Sequence, residues 1–313
     1  MRINNSIVKP LILLLVLTLA RTGYGLRPLK GYPVVPSDYG IIYDPVVFET
    51  SDGFSLHGWF FPAQDTMGIS NHLVGRLMPV PDSLKPPLRP YMADDVRAGA
   101  TIVICPGDAG NMSFTILYAY NFFIRGFNVF TFDWRGFGES DDWPVDPDLL
   151  IYAEYLCDYE TALDYLIARP EVDSSRIGLL GFSTGAYMSF AMADSRDDIS
   201  ALAARATITS FDDLLPILEQ LDPGRAWHAP EDFPDSLFPV NAAPDISIPV
   251  FMVVGQEDER TPAWMSQRVC DLLAGSGELW IVEGAGHGGI SAPEMVAYSQ
   301  FFQRITEFFG QYL

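Results

Sequence analysis

Six short apolar runs alternate with stretches of helical periodicity along most of this 313-residue chain, and this alternation limits the fold more than any other feature. The runs are Thr101–Cys105, Asn128–Phe132, Arg176–Gly181, Ala203–Thr209, Pro249–Val254 and Glu278–Val282. "TIVIC" is apolar almost throughout, as strands buried on both faces of a parallel sheet are. Met112–Arg125, Leu149–Ala168, Thr184–Ala193 and Pro262–Leu273 read as helices between the runs, and Pro293–Leu313 reads as a closing one. Gly126 and Pro170 supply stop signals. Upstream, "VVFETSDGFSLHGWFF" (Val46–Phe61) reads as two strands joined by a turn at Asp52-Gly53. The expectation is an α/β protein with a doubly wound, mostly parallel sheet and antiparallel N-terminal strands. With 49% hydrophobic residues the chain can fill one large core, so residues 26–313 are expected to form a single domain. Residues 64–99 form a polar, proline-bearing excursion, and 211–248, with six prolines, is expected to be irregular.

In doubly wound sheets, ligands bind beyond the carboxyl ends of the strands. Every motif with chemical potential here follows a predicted strand. Gly181-Phe182-Ser183-Thr184-Gly185 stands between a strand and a helix. Small residues around Ser183 allow the sharp turn that would lift its hydroxyl clear of the sheet, over the positive end of the next helix. A serine hydroxyl attacks only when a base takes its proton. Four histidines are available. His57 lies in the hairpin, His72 in the early excursion and His228 in the proline-bearing segment. His287, in "EGAGHGG", follows the last predicted strand and is the candidate base. An imidazole in that role needs an acid to fix its tautomer. Asp258, in "VVGQEDERTP", follows a strand 29 residues before His287; Asp212 or Asp213, after the strand ending at Thr209, is the alternative. Asp133 and Arg135 read as parts of a structural turn.

Gly181-x-Ser183-x-Gly185, Asp133-x-Arg135-Gly136-x-Gly138-x-Ser140, Gly255-x-x-Asp258-x-x-x-Pro262 and Gly284-Ala285-Gly286-His287-Gly288-Gly289 together resemble the α/β-hydrolase superfamily, in its esterase, lipase and serine-aminopeptidase-like branch. The resemblance spans Val46–Leu313. It implies the α/β-hydrolase fold and a Ser183–His287–Asp258 triad acting through an acyl-enzyme. The activity would be carboxylic-ester hydrolysis, with a peptidase or amidase on the same triad as the alternative. A non-catalytic binding protein and an acyltransferase are lesser readings. It also implies an oxyanion hole made by the backbone N–H groups of Thr184 and Asp108. Asp108 stands in Pro106-Gly107-Asp108-Ala109-Gly110-Asn111, where the family often has His-Gly. Its carboxylate would repel an oxyanion, so the side chain is expected to turn away and cap the following helix. In this fold, 211–248 would form a small cap, with Trp227, His228, Phe233, Leu237 and Phe238 available to line an acyl pocket. No cofactor and no metal is implied, and the expected partner is a small acyl substrate, ester or amide.

The net charge of −21 argues against nucleic acid as a partner. Cys105, Cys157 and Cys270 lack the number and spacing of a disulfide framework and read as small hydrophobes. At the N-terminus, Arg2 and Lys9 precede the apolar run Leu11–Ala20, with Gly23 and Gly25 placed for cleavage. Residues 1–25 therefore read as an export signal to the periplasm or medium. An uncleaved membrane anchor is the alternative, although the run is short for a span of about 20 residues.

Overall fold

The computed structural model describes residues 25–64 and 99–313. The run Leu11–Ala20, His72 and the prolines of 79–90 lie outside the described residues. Among the described residues, no helix is long and apolar enough to cross a membrane.

Eight strands make the central sheet. They are β1 (Asp44–Glu49), β2 (Ser55–Phe61), β3 (Gly99–Cys105), β4 (Asn128–Phe132), β5 (Val172–Phe182), β6 (Ile199–Arg205), β7 (Val250–Gly255) and β8 (Gly277–Val282). Their spatial order is β8-β7-β6-β5-β3-β4-β2-β1. β2 runs antiparallel to both β1 and β4, and the other neighbours are parallel. This is the α/β-hydrolase fold, with the antiparallel strands at the N-terminal edge as expected.

Side chains alternate across a strand, so the sheet builds two cores. Val103 and Cys105 of β3 and Leu179 of β5 face one cluster; Ile102, Ile104 and Leu180 face the other. The first cluster is covered by α2 (Tyr155–Ile167), α3 (Thr184–Ser195), α4 (Phe211–Leu221) and α6 (Ala263–Leu272). The second is covered by α1 (Ile116–Phe123) and the C-terminal α8 (Tyr298–Tyr312). Two further short helices are α5 (Pro239–Ala242) and α7 (Pro293–Val296).

Several elements depart from the sequence reading. The segment after Phe211 begins with a regular helix, α4, despite Pro216 inside it. Ser210 caps it by accepting from the Asp213 N–H, Asp212 and Asp213 occupy its first turn, and Phe211, Leu214 and Leu218 bury one face. Capping, dipole and amphipathic packing together outweigh one missing N–H. α2 starts at Tyr155 rather than Leu149, because the Leu150 N–H donates to His228 O at 3.0 Å and holds that stretch extended. β6 ends at Arg205 rather than Thr209, where Ala206 takes a left-handed φ of 59°. The last helix is broken at Ala297, which leaves the helical region at φ −120°, ψ 44°.

Candidate active site

The register carries the site-bearing loops to one edge of the sheet. Cys105 pairs with Gly181, Phe182 with Arg205, Arg205 with Val253, and Gly255 with Val282. The chain leaves each strand within a few residues of these pairs, so the loops carrying Asp108, Ser183, Asp258 and His287 share the carboxyl-end face.

Ser183 occupies φ 52°, ψ −113°, a region that non-glycine residues rarely adopt. The turn is held on both sides. Ser183 N donates to Arg205 O at 2.9 Å, and Ser183 O accepts from Ala186 N at 2.9 Å. The flanking glycines are sterically obligatory. A Cβ on Gly185 would stand 2.1 Å from Cys105 O, and one on Gly181 would stand 2.5 Å from the Ala186 Cα. Thr184, buried at the start of α3, offers an N–H that a helix leaves without an intrahelical acceptor.

His287 Nε2 lies 3.1 Å from Ser183 Oγ. Its Nδ1 lies 2.9 Å and 3.0 Å from the two oxygens of Asp258. An ionised carboxylate only accepts, which assigns the proton to Nδ1 and leaves Nε2 free to accept from the serine hydroxyl. Asp258 is fixed in turn by the N–H groups of Arg260 and Thr261, at 3.0 and 2.8 Å, and by the Thr261 hydroxyl at 3.0 Å. Burial pushes the Asp258 carboxyl up, but His287 and the Thr261 N–H more than offset it, with a further contribution from Arg205, and hold it below the ordinary carboxylate range.

The alternative acid goes elsewhere. Asp212 is exposed in the first turn of α4, while Asp213 accepts from the Thr209 hydroxyl and pairs with Arg268 at 3.3 Å. The other described histidines are also remote in their contacts. His57 Nδ1 faces Glu139 at 3.9 Å, and the exposed His228 faces Asp146 at 3.3 Å.

Asp108 does not cap the following helix. That role falls to Asn111, whose side chain accepts from the Ser113 N–H, and to Asp133, which accepts from the Met112 N–H at 2.7 Å. The Asp108 carboxylate instead bonds the guanidinium of Arg260, in the loop that carries Asp258. Of the residues expected to line the acyl pocket, Phe233 and Phe238 are buried in an aromatic cluster with Phe211 and Tyr187. Tyr187 stands one helical turn beyond Ser183. Trp227 is buried beneath the Arg225 guanidinium, 4.0 Å above its ring.

Several contributors escaped the sequence reading. Arg205 donates to the His287 carbonyl and stands 3.4 Å from Glu294, a buried carboxylate that accepts from the Tyr118 hydroxyl at 2.8 Å. The signal was an arginine closing the otherwise apolar run "ALAAR". Thr261, three residues past Asp258, could have been read as a side-chain-to-backbone turn around that carboxylate.

The profile of the prolyl oligopeptidase family matches residues 113–313. Among curated proteins, Rv2307c of Mycobacterium tuberculosis, itself uncharacterized, is 26% identical over 77% of this chain and 71% of its own. The α/β-hydrolase domain-containing protein WAV2 of Arabidopsis thaliana is 27% identical over 74% of this chain and 67% of its own. Among solved structures, the esterase Pf2001 of Pyrococcus furiosus superposes with a TM-score of 0.65 at 17% identity, covering 92% of this chain and 99% of that one. A putative dipeptidyl aminopeptidase IV of Bacteroides ovatus superposes at 0.62 and 15% identity, over 87% of this chain and 36% of that longer one. With the family profile matched over more than half its length, on an α/β-hydrolase sheet, this chain belongs to the prolyl oligopeptidase family.

Proposed function

We propose that this chain is a serine hydrolase cleaving carboxylic esters through an acyl-enzyme. The observation that carries the reading is the unbroken chain of hydrogen bonds from Ser183 Oγ through His287 to Asp258, starting at a strained turn over a helix N-terminus. Ser183 Oγ attacks the acyl carbon while His287 Nε2 takes its proton. The N–H groups of Thr184 and Asp108 receive the oxyanion. His287 then gives the proton to the leaving alkoxide, and a water activated by the same nitrogen releases the acid. Phe233 and Phe238, beside Tyr187, would floor the acyl pocket. The N-terminal residues 1–25 would export the chain.

A peptidase on the same residues is the second reading, and the family match favours it. An aminopeptidase needs carboxylates to hold the substrate ammonium. Among the described residues, Glu231, Asp232 and Asp235 are candidates for that role, and all three are exposed, where a charge contact is worth little. That weighs toward esters. Turnover of matched short-acyl esters and aminoacyl anilides by the full chain separates the two. Esters should lead in kcat/KM by at least about tenfold, and Ser183→Ala should abolish at least about 10³-fold of kcat. Faster anilide turnover would make the protein an aminopeptidase.

A further inference from the structure

Asp108 poses an electrostatic problem within the proposed site, and the structure contains its answer. The loop after β3 sits directly against the elbow: a Cβ on Gly107 would stand 3.2 Å from Phe182 O and 3.7 Å from the Ser183 Cβ. The next residue is the proposed oxyanion donor, and it carries a carboxylate. An uncompensated charge about 5 Å from a developing oxyanion, at an effective dielectric near 20, is worth on the order of a hundredfold in rate. A donor loop that brings a negative charge of its own would work against itself.

The carboxylate is buried, 8% exposed, and bound by Arg260, whose own side chain is 11% exposed. Arg260 is anchored at both ends. Its guanidinium holds Asp108, while its backbone N–H donates to Asp258 Oδ1. One residue therefore ties the loop of the proposed oxyanion donor to the loop of the proposed acid. Arg27 also acts electrostatically on Asp108, and its backbone N–H donates to Asp108 O at 2.8 Å; the Tyr187 phenol of α3 lies within electrostatic reach of the same carboxylate.

We infer that Arg260 is a positioning residue that neutralises Asp108 and holds its carboxylate off the oxyanion, so that only the Asp108 N–H faces the reacting oxygen. The inference rests on the serine-hydrolase reading. It separates two roles that a static ion pair confounds. A merely structural tie would be lost equally whichever partner is removed, and losing both would be no better. A neutralising partner matters only while Asp108 is charged, so removing the carboxylate should relieve the loss of the arginine. Removing both charges also avoids leaving a lone buried carboxylate, the costlier outcome for folding.

The test is the rate at which a fluorophosphonate labels Ser183 in the full-length chain, a readout indifferent to ester or amide preference. In that step the Ser183 Oγ–P bond forms, the P–F bond breaks, fluoride leaves and the serine proton passes to His287. Arg260→Gln should slow labelling by about 10–100-fold, Arg27 limiting the effect, with the change in the maximal rate rather than in half-saturation. Arg260→Lys, which keeps the charge, should retain most of the rate. Asp108→Asn combined with Arg260→Gln should label at least about fivefold faster than Arg260→Gln alone. If Arg260→Gln proves unfolded by circular dichroism, the double variant and Arg260→Lys still decide, since the inference requires both to fold and label. Wild-type labelling with no loss in folded Arg260→Gln, or no relief in the double variant, overturns the inference alone. A wild-type Ser183 that takes no label overturns the serine-hydrolase reading, and this inference with it.

Discussion

Ser183 adopts a conformation that costs on the order of 1–3 kcal/mol, and the surrounding contacts hold it there. Such strain persists only when its environment over-determines it, as the Arg205 carbonyl and the two glycines do here. The carboxylates divide by what they touch. Asp258 gathers three donors besides His287, whereas Asp212 stands exposed in a helix's first turn. Asp258→Asn keeps the shape but removes the charge and replaces one acceptor oxygen with an NH2 donor, so the proton is no longer held on Nδ1. In serine proteases that loss costs about 10⁴-fold in kcat, so a fall of roughly 10²–10⁴-fold is expected with the circular dichroism spectrum unchanged. Asp212→Asn loses only a favourable interaction with the helix dipole and should change kcat by less than about tenfold. Ester kinetics on the two variants side by side check both. A crippled Asp212→Asn with a healthy Asp258→Asn would move the acid to the first turn of α4.

At the scale of elements, the loops after the strands are tied to one another by buried polar groups. Asp133, after β4, accepts from the Met112 N–H beyond the β3 loop and from the Tyr32 hydroxyl at 2.9 Å. Burial raises its carboxyl to about 7, with the Met112 N–H and the Tyr32 hydroxyl opposing that rise. A raised acid binds its proton more tightly folded than unfolded, where its value is about 3.9. Its contribution to stability is therefore fully present below about pH 4 and is lost as pH rises towards 7. Asp133→Asn removes this titration. The melting temperature of the wild type minus that of Asp133→Asn should thus fall between pH 5 and pH 8, as followed by thermal melts. A difference that is flat or rises would contradict the assignment. The same scale shows where sequence stops being legible. Strands were readable because burial on both faces leaves unbroken apolar runs, and the 3.6-residue pattern located the helix bodies. Element ends were not, because tertiary contacts set them: Leu150 bonded to His228, and Ala206 turned by a left-handed φ. α4 was missed whole, because the prolines of 211–248 read as breakers although the helix runs through Pro216.

For the whole molecule, the mostly parallel sheet with its antiparallel start and the clustering of motifs at strand carboxyl ends were written in the alternation of apolar runs and glycine-bearing turns. The partners of those motifs were not. Nothing local to Arg260 pointed to Asp108, and the arginine closing "ALAAR" did not itself name the His287 carbonyl as its partner, because such contacts span 152 and 82 residues. Ser183, His287 and Asp258 could be grouped because each needs a particular neighbouring residue type and a strand before it. Every proposed chemical step depends on Ser183 as the nucleophile. The most direct measurement is peptide mapping after treating the full-length, folded chain with a serine-directed fluorophosphonate. One adduct is expected, on Ser183, absent from the Ser183→Ala variant. An adduct on a different serine with Ser183 unmodified, or no adduct on a folded and soluble chain, would contradict it.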